Sequence, residues 1–384
     1  MISSSINEQR LKFPALKNKS YLNFGAQGTM ATSTIDAIKH SYDYVQDKGP
    51  LSAGMFAWIQ EEGWRCKKLI ADEFGGEASS YALTQNTTEG CNIVLWGLDW
   101  KEGDTLLTTD SEHNGVMKAA IQLCKRNKLK LEVCKIAKLN SEEEILEAVQ
   151  ESLKSKPRLF MISHILWNTG RVLPLKKIVD LCKSKNVKVL ADGAQSAGVM
   201  PLDMIELGAE FYAFTGHKWI GGPEGVGALY VAPDSLEDLE PTFAGWRGAI
   251  FDSKGQAIGW QPDSSRYEVA TAPFPLLSGL INAIEVHRQA GTAVARYETI
   301  IQIASKLRAE LSTMPNLKLL DKTGGSSLVS FAIDDVIHAN VVKALESKGF
   351  IVRTIPNPEC IRASVHYFSQ EEADKFCDAL KASI

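Results

Sequence analysis

The chain lacks long hydrophobic runs, a surplus of charge of one sign and an apolar N-terminal segment. No stretch approaches about eighteen uninterrupted apolar residues, so we expect no membrane-spanning helix. The N-terminus has neither a basic start nor an apolar run, so we expect no secretory signal. The 42 basic and 46 acidic residues leave a net charge of −4. Without a basic stripe, nucleic acid is not an expected partner.

Cysteine is also sparse, with seven residues in a chain of 384. The cysteines are odd in number and scattered, and no pair has C-x-x-C spacing. We therefore predict neither a metal site nor a disulfide framework. A reducing compartment suits such a chain, so we expect it in the cytoplasm.

Short apolar runs alternate with amphipathic stretches from residue 21 to residue 231. The candidate strands are the runs 80–84, 105–108, 129–136, 159–165, 188–191, 211–214 and 226–231. Between them lie helical patterns, such as 145–153 and 175–183, with apolar residues three and four positions apart. This alternation predicts an α/β fold with a mostly parallel seven-stranded sheet that helices cover on both faces.

The pattern changes near Pro275. A long helical stretch, with or without an interruption, is followed by a strand, a helix and a strand, at 276–314, 327–333, 341–348 and 350–354. Ser369 and Glu372 have the spacing of a capping box, so we expect a last helix that runs to the end of the chain. These elements predict a second, smaller α/β domain.

A lysine and an aspartate give the clearest chemical signal. Lys218 ends the tetrad Thr215-Gly216-His217-Lys218. Asp192 follows the apolar run 187–191, which predicts a buried parallel strand. Open α/β sheets bind their ligands at the carboxyl ends of such strands. A lysine that can form a Schiff base and a buried aspartate that keeps a pyridine nitrogen protonated are the minimum apparatus of a pyridoxal 5′-phosphate (PLP) enzyme.

On these residues, together with Gln195 and His217, the chain resembles the fold-type I PLP enzymes. The resemblance is to the class V aminotransferase group, which contains cysteine desulfurases, cystine lyases and isopenicillin epimerases, and it covers nearly the whole chain. It implies a large PLP-binding domain at 21–272 and a smaller C-terminal domain at 273–384. The N-terminal segment 1–20 is expected to pack on the small domain.

The resemblance also implies the phosphate contacts. Residues 85–90 follow a strand and open an apolar helix, and a helix N-terminus suits a phosphate. Thr87 and Thr88 match the phosphate contacts of the family in this cup. Thr215 and His217 match two further phosphate contacts beside the lysine.

One phosphate contact is expected from a neighbouring subunit. Thr271 matches a threonine that reaches the phosphate of the partner, although the match is looser because Ala270 stands where the family usually has glycine. The resemblance therefore implies a homodimer.

Two further side chains match residues that contact the cofactor ring. His113, in Asp110-Ser111-Glu112-His113-Asn114, matches a histidine that lies flat against the pyridine ring and is available for proton transfer. Gln195 matches the residue that donates a hydrogen bond to the phenolic oxygen of the cofactor. The catalytic residues predicted from the sequence are Lys218, Asp192 and His113.

Two arginines are the predicted substrate contacts. Arg362 matches the arginine that holds the α-carboxylate, for which a planar guanidinium is well suited. Cystine, the substrate of the cystine lyases in this group, has a second carboxylate and a disulfide. Arg353 is predicted to hold that second carboxylate, and Trp246 is predicted to cover the disulfide.

The position of Cys360 favours one branch of the family. Desulfurases carry a nucleophilic cysteine on a flexible loop between the two arginine positions. Here the interval 354–361 is short and contains two prolines, and Cys360 lies two residues before Arg362. We therefore expect Cys360 to be a strand residue. The pattern resembles the cystine C–S lyases, which the surroundings of Trp246 also resemble.

The predicted reaction is PLP-dependent β-elimination from L-cystine, or from L-cysteine, to pyruvate, ammonia and a persulfide. The alternatives are a cysteine desulfurase that supplies iron–sulfur cluster assembly, an epimerase or other class V enzyme, and a PLP-binding sulfur-delivery protein without turnover. An iron–sulfur or other sulfur-acceptor protein is a possible partner.

Overall fold

The computed structural model describes residues 2–367 and 369–384. In this part of the chain the helices are α1 Ile2–Arg10, α2 Thr32–Lys48, α3 Ala53–Phe74, α4 Thr87–Gly97, α5 Asn114–Asn127, α6 Glu142–Ser152, α7 Leu175–Lys183, α8 Met204–Leu207, α9 Phe274–Gln289, α10 Ala293–Ser312, α11 His338–Ser347 and α12 Gln370–Lys381. The strands are β1 Ser20–Tyr21, β2 Tyr81–Thr84, β3 Thr105–Thr109, β4 Lys130–Cys134, β5 Leu159–Ser163, β6 Lys188–Asp192, β7 Phe211–Thr215, β8 Gly227–Val231, β9 Ala249–Phe251, β10 Ala257–Trp260, β11 Leu317–Leu319, β12 Leu328–Ile333, β13 Phe350–Ile351, β14 Arg353–Pro356 and β15 Glu359–Ser364.

The large sheet has seven strands in the order β2-β8-β7-β6-β5-β3-β4. The five strands from β7 to β4 run parallel, and β8 runs antiparallel to both of its neighbours. The central strands β3, β5 and β7 are buried along their whole length, which is why their sequences are short apolar runs. The predicted α/β fold with a mostly parallel seven-stranded sheet is confirmed.

The parallel strands determine where the site lies. β3, β5, β6 and β7 end at Thr109, Ser163, Asp192 and Thr215, and the carboxyl ends of parallel strands share one edge of a sheet. The loops that follow these strands therefore meet at one place.

The C-terminal residues build a second sheet, in the order β11-β12-β15-β14, with every neighbouring pair antiparallel. α10, α11 and α12 cover it and supply buried apolar residues to a separate core. The last helix begins with the predicted capping box of Ser369 and Glu372, but it ends at Lys381, short of the chain end. The single strand predicted at 350–354 is two strands, because β13 pairs with β1 while β14 pairs with β15.

The long helical stretch predicted at 276–314 is interrupted between α9 and α10, where Gly291 has a φ of +121°. α9 packs against α2 and α3, and its buried apolar residues belong to the core of the large sheet. We therefore propose that the smaller domain begins with α10 rather than at residue 273.

The N-terminal segment contacts the second core. Arg10 forms an ion pair with Glu372 at 2.9 Å and donates a hydrogen bond to the carbonyl of Tyr367 at 2.6 Å. Ile6 packs against the same core, and β1 pairs in parallel with β13.

The two sheets also meet at the loop that follows β5. Asn168 donates to the carbonyl oxygen of Asn357, at the tip of the β14–β15 hairpin, at 3.0 Å. Ser330 of β12 donates to the carbonyl oxygen of Asn168 at 2.6 Å. This contact brings the arginines of β14 and β15 to the carboxyl edge of the large sheet. Within residues 2–367 and 369–384, no helix is long and apolar enough to cross a membrane.

Candidate active site

A cavity of about 480 Å³ opens at the carboxyl edge of the large sheet. Ten residues predicted from the sequence line it: Thr87, Thr88, His113, Asp192, Gln195, Thr215, His217, Lys218, Arg353 and Arg362. The structure therefore brings together residues that lie up to 275 positions apart in the chain (362 − 87).

Asp192 is the buried carboxylate of this cavity. It ends β6, is 5% exposed, and accepts a hydrogen bond from the backbone N–H of Ala194 at 2.9 Å. Burial raises its pKa, against the opposing effects of that hydrogen bond and of the charges on Lys218 and His113. A carboxylate in such a place is stabilised by a cationic ligand.

Two contacts orient the side-chain amide of Gln195. Its Nε2 donates to the carbonyl oxygen of Gly25 at 2.8 Å, and its Oε1 accepts from the indole N–H of the fully buried Trp219 at 3.0 Å. An amide nitrogen carries two hydrogens, so one N–H of Gln195 is free for an acceptor in the cavity.

Lys218 lies in the cavity with a pKa that is lowered to about 8. Burial is the main cause, and Arg362 and Arg353 lower the pKa further while Asp192 raises it. The loop that contains Gly28 packs closely on the lysine backbone, since a Cβ on Gly28 would lie 1.9 Å from the carbonyl oxygen of Lys218. The lowered pKa makes a neutral, nucleophilic amine accessible near neutral pH.

The N-terminus of α4 lies at the cavity and offers donors that suit an anion. Asn86 caps this helix by accepting a hydrogen bond from the backbone N–H of Glu89 at 3.0 Å. The Oγ1 of Thr87 is buried and has no hydrogen-bond partner among the described residues. Opposite this helix, the Oγ1 of Thr215 and the Nδ1 of His217 lie 2.6 Å apart. Hydroxyls and helix N–H groups suit a phosphate.

His113 caps α5 at the rim of the cavity. Its Nδ1 accepts a hydrogen bond from the backbone N–H of Gly115 at 3.1 Å, so the ring proton is assigned to Nε2. Desolvation, followed by the charge on Lys218, lowers the pKa of His113, while Asp192 opposes this effect. The imidazole is therefore neutral at neutral pH.

Arg362 is a buried guanidinium with unused donors. It lies in β15, is 1% exposed, and donates through Nη1 to the carbonyl oxygen of Trp167 at 2.5 Å. Its Nε and Nη2 have no partner among the described residues. Burial, followed by the charge of Arg353, lowers its pKa to about 9. Two such donors on one guanidinium have the geometry that suits a carboxylate. Arg353 pairs with Arg362 in the sheet but is exposed.

Sequence reasoning missed several residues at this site. Trp167 lines the cavity and meets the ring of His113 edge-on, with the ring centroids 5.1 Å apart. Ser163 and Gly25 also line the cavity. No local motif marks these residues. Only their position, with Ser163 at the end of β5 and Trp167 in the loop that follows, could have suggested two of them.

Two predicted residues lie outside the cavity. Thr271 lines a neighbouring depression with Gln85 and Glu89. Trp246 is 45% exposed and lines a third depression with Trp64 and Lys67. Neither residue lines the cavity of its own chain, and both assignments stay predictions.

No cysteine takes part in the cavity among the residues that the structure describes. All seven cysteines are buried, and none lines the cavity. Cys360 lies in β15, opposite Ile355, and is 0% exposed. Burial raises the pKa of its thiol to about 12, with Arg362 lowering it and Glu359 raising it. The expected strand position of Cys360 is thus observed.

The residues of the cavity fit PLP. Asp192 suits the ring nitrogen, and the free N–H of Gln195 suits the phenolic oxygen. The buried, unpartnered hydroxyl of Thr87 lies at a helix N-terminus that suits the phosphate. Lys218, with its lowered pKa, suits the aldehyde.

Comparisons with known proteins agree with this fit. The family profile for class V aminotransferases matches residues 21–384. The structure of the cystine C–S lyase C-DES, in complex with its reaction product cysteine persulfide, superposes with a TM-score of 0.92 at 40% identity, over 96% of this chain and 98% of that one. A second C-DES structure, with glycine covalently linked to its PLP cofactor, gives a TM-score of 0.93 at 39% identity, over 97% and 98% of the two chains.

Curated relatives belong to the same group. Isopenicillin N epimerase of Streptomyces clavuligerus is 32% identical over 336 residues, covering 83% of this chain and 84% of the epimerase. A cysteine desulfurase of Escherichia coli O157:H7 is 27% identical over 404 aligned positions, covering 98% of both chains. The chain therefore belongs to the class V aminotransferase family, and it is an enzyme whose cofactor is PLP.

Proposed function

We propose that the enzyme is a C–S lyase that cleaves L-cystine by β-elimination, giving pyruvate, ammonia and cysteine persulfide. The observation that carries this proposal is the absence of a thiol from the described cavity, where a desulfurase needs its nucleophile. The similarity of this chain to the cystine lyase C-DES supports the same reaction.

Lys218 and Asp192 handle the protons in this proposal, and Gln195 and His113 lie around the cofactor. PLP, when bound, supplies an electron sink for the electron pair released at the substrate Cα. Lys218 has the lowered pKa of a base and takes the Cα proton. Asp192 holds the proton of the ring nitrogen, and Gln195 donates its free N–H to the phenolic oxygen. His113 is neutral and covers the rim of the cavity.

Elimination from cystine needs no protein nucleophile. The bond between Cβ and sulfur breaks, and its electron pair leaves with the cysteine persulfide anion. The remaining three-carbon fragment takes up one water and becomes pyruvate and ammonia. The sum is cystine plus water giving pyruvate, ammonia and cysteine persulfide. A persulfide anion is a stable leaving group, so the sulfur is never transferred to the chain.

Arg362 is proposed to hold the α-carboxylate through its unpartnered Nε and Nη2. Arg353, which is exposed at the mouth of the cavity, is proposed to hold the second carboxylate of cystine. We also propose a homodimer, in which Thr271 and Trp246 reach the site of the partner, because a single chain places both outside its own cavity.

The persulfide product makes the enzyme a source of sulfane sulfur, and an iron–sulfur or other sulfur-acceptor protein is its proposed partner. A cytoplasmic location is proposed because all seven cysteines are free thiols.

Offering L-cystine and L-cysteine separately to the holoenzyme tests the reaction. With cystine, we expect pyruvate, ammonia and persulfide in equal amounts. Formation of alanine and sulfane sulfur from cysteine, with little pyruvate from cystine, would instead identify a desulfurase. Accumulation of a D-amino acid would identify an epimerase.

A further inference from the structure

Glu112 is a buried carboxyl group to which the proposed reaction gives no role. Its side chain is 6% exposed and lies directly before His113. Its two oxygens each accept a hydrogen bond of 2.6 Å, from the hydroxyl of Thr109 and from the hydroxyl of Ser163. Both partners donate, which is the arrangement that an ionised carboxylate requires.

The position of Glu112 connects it to the cofactor site. Thr109 and Ser163 are the last residues of β3 and β5, so Glu112 joins the ends of two strands at the edge where the cavity opens. Ser163 lines the cavity and lies directly opposite Asp192 in the parallel pairing of β5 and β6. The hydroxyl of Ser163 therefore lies between the cavity and Glu112, and Ser163 is the strand neighbour of Asp192.

The groups that face Glu112 do not neutralise its charge. Burial raises the pKa of Glu112, and the charge of Asp192 on β6 raises it further. Burial is also the main cause of the raised pKa of the Cys91 thiol on α4, to which Asp192 and Glu112 add. Burial is the largest effect and brings the pKa of Glu112 to about 7, although its hydrogen bonds from Ser163 and Thr109 lower it. No ion pair joins Glu112 to a cation among the described residues. A buried charge of this kind is stabilised by a cation brought in by a ligand.

We propose that Glu112 is a positioning residue for the cofactor: a second carboxylate that acts through Ser163 and beside Asp192 to strengthen the protonation of the pyridine nitrogen. Two neighbouring carboxylates hold a proton on that nitrogen more firmly than one, because each adds to the negative potential at the ring. The proposal depends on PLP being the cofactor but not on which substrate is cleaved.

Binding of two cofactors to the apoprotein separates this role from a structural one. The probes are PLP and its 1-deaza analogue, in which a carbon replaces the ring nitrogen, so that only PLP carries the relevant proton. Glu112→Gln keeps the shape of the side chain and removes its charge. We expect the dissociation constant of PLP to rise by about tenfold relative to that of the analogue, which corresponds to one pKa unit at the ring nitrogen.

Two further variants keep the experiment decisive. Glu112→Met removes the charge with an apolar side chain of similar length, and it should give the same change if Glu112→Gln does not fold. Thr109→Ser removes a methyl group beside Glu112 but keeps the hydroxyl that donates to it, and with it the charge, so its ratio of dissociation constants should stay close to that of the wild type. Circular dichroism confirms the fold of each variant.

The proposal would be overturned if the ratio of the PLP dissociation constant to that of the analogue did not change when Glu112 lost its charge. This holds even if both cofactors bound more weakly. Equal weakening of PLP and the analogue would show that Glu112 only supports the loop that carries His113. Because the readout is binding, a failure here is distinguishable from a failure of cystine cleavage, which the product assay measures.

Discussion

Replacing Cys360 with alanine should leave the cleavage of cystine intact. At a pKa of about 12, only about one thiol in ten thousand is ionised at pH 8. The side chain is also 0% exposed, within a strand that is paired on both sides. A thiol that is neither ionised nor accessible cannot act as a nucleophile. The expected cost is the loss of one buried sulfur atom, about 1 kcal/mol of unfolding free energy.

The assay compares Cys360→Ala with Cys377→Ala, at a cysteine that is also buried, 2% exposed, and lies in α12. Pyruvate formation from cystine should match the wild-type rate in both variants, with similar small losses of thermal stability. The reasoning would be refuted if Cys360→Ala bound PLP normally but lost turnover by orders of magnitude while Cys377→Ala kept it.

Three further results are expected. Asp192→Asn should keep the fold but slow pyruvate formation by about a hundredfold or more, because an amide cannot stabilise the protonated ring nitrogen. Near-normal turnover would show that Asp192 is structural. The rate at which the apoprotein captures PLP should rise with pH through about 8, since the neutral amine of Lys218 is the reactive form and its pKa is lowered to about 8. A rate that is flat between about pH 7 and pH 9 would contradict this assignment. Arg362→Ala should weaken cystine binding by about 2–5 kcal/mol and leave PLP binding nearly unchanged, whereas Arg353→Ala, at an exposed position, should cost less. A Michaelis constant that hardly changes in Arg362→Ala would place the carboxylate contact elsewhere.

Most of the sheet was predictable because its central strands are buried on both faces. Such strands must be short apolar runs, and the runs predicted at 159–165 and 188–191 correspond to β5 and β6 within two residues at each end. The strand predicted at 350–354 was wrong as one element. Its two halves pair in different sheets, and pairing partners are not visible in a local pattern.

The sequence alone also does not show to which domain α9 belongs. α9 has the apolar pattern of any buried helix, and only its packing on α2 and α3 assigns it to the large core. The boundary predicted at residue 273 came from the resemblance and from the change of local pattern near Pro275, and neither contains these contacts.

The site was predictable where a motif surrounds the functional group. Asp192 ends β6, and Lys218 follows the end of β7 by three residues, within the tetrad Thr215-Gly216-His217-Lys218. The structure places both in the cavity. The residues that hold them in place were not predictable. Trp219 donates a hydrogen bond that orients Gln195, and Ser163 donates one to Glu112. These contacts around the site form only when distant segments of the chain meet.

Intact-protein mass spectrometry of the enzyme during turnover of L-cystine tests most directly whether sulfur ever resides on the chain. We predict that the mass of the polypeptide stays unchanged, while one cysteine persulfide appears in solution for each pyruvate formed. A chain that gains one sulfur atom during turnover, on a peptide that contains a cysteine, would contradict direct elimination and show that a protein thiol carries the sulfur.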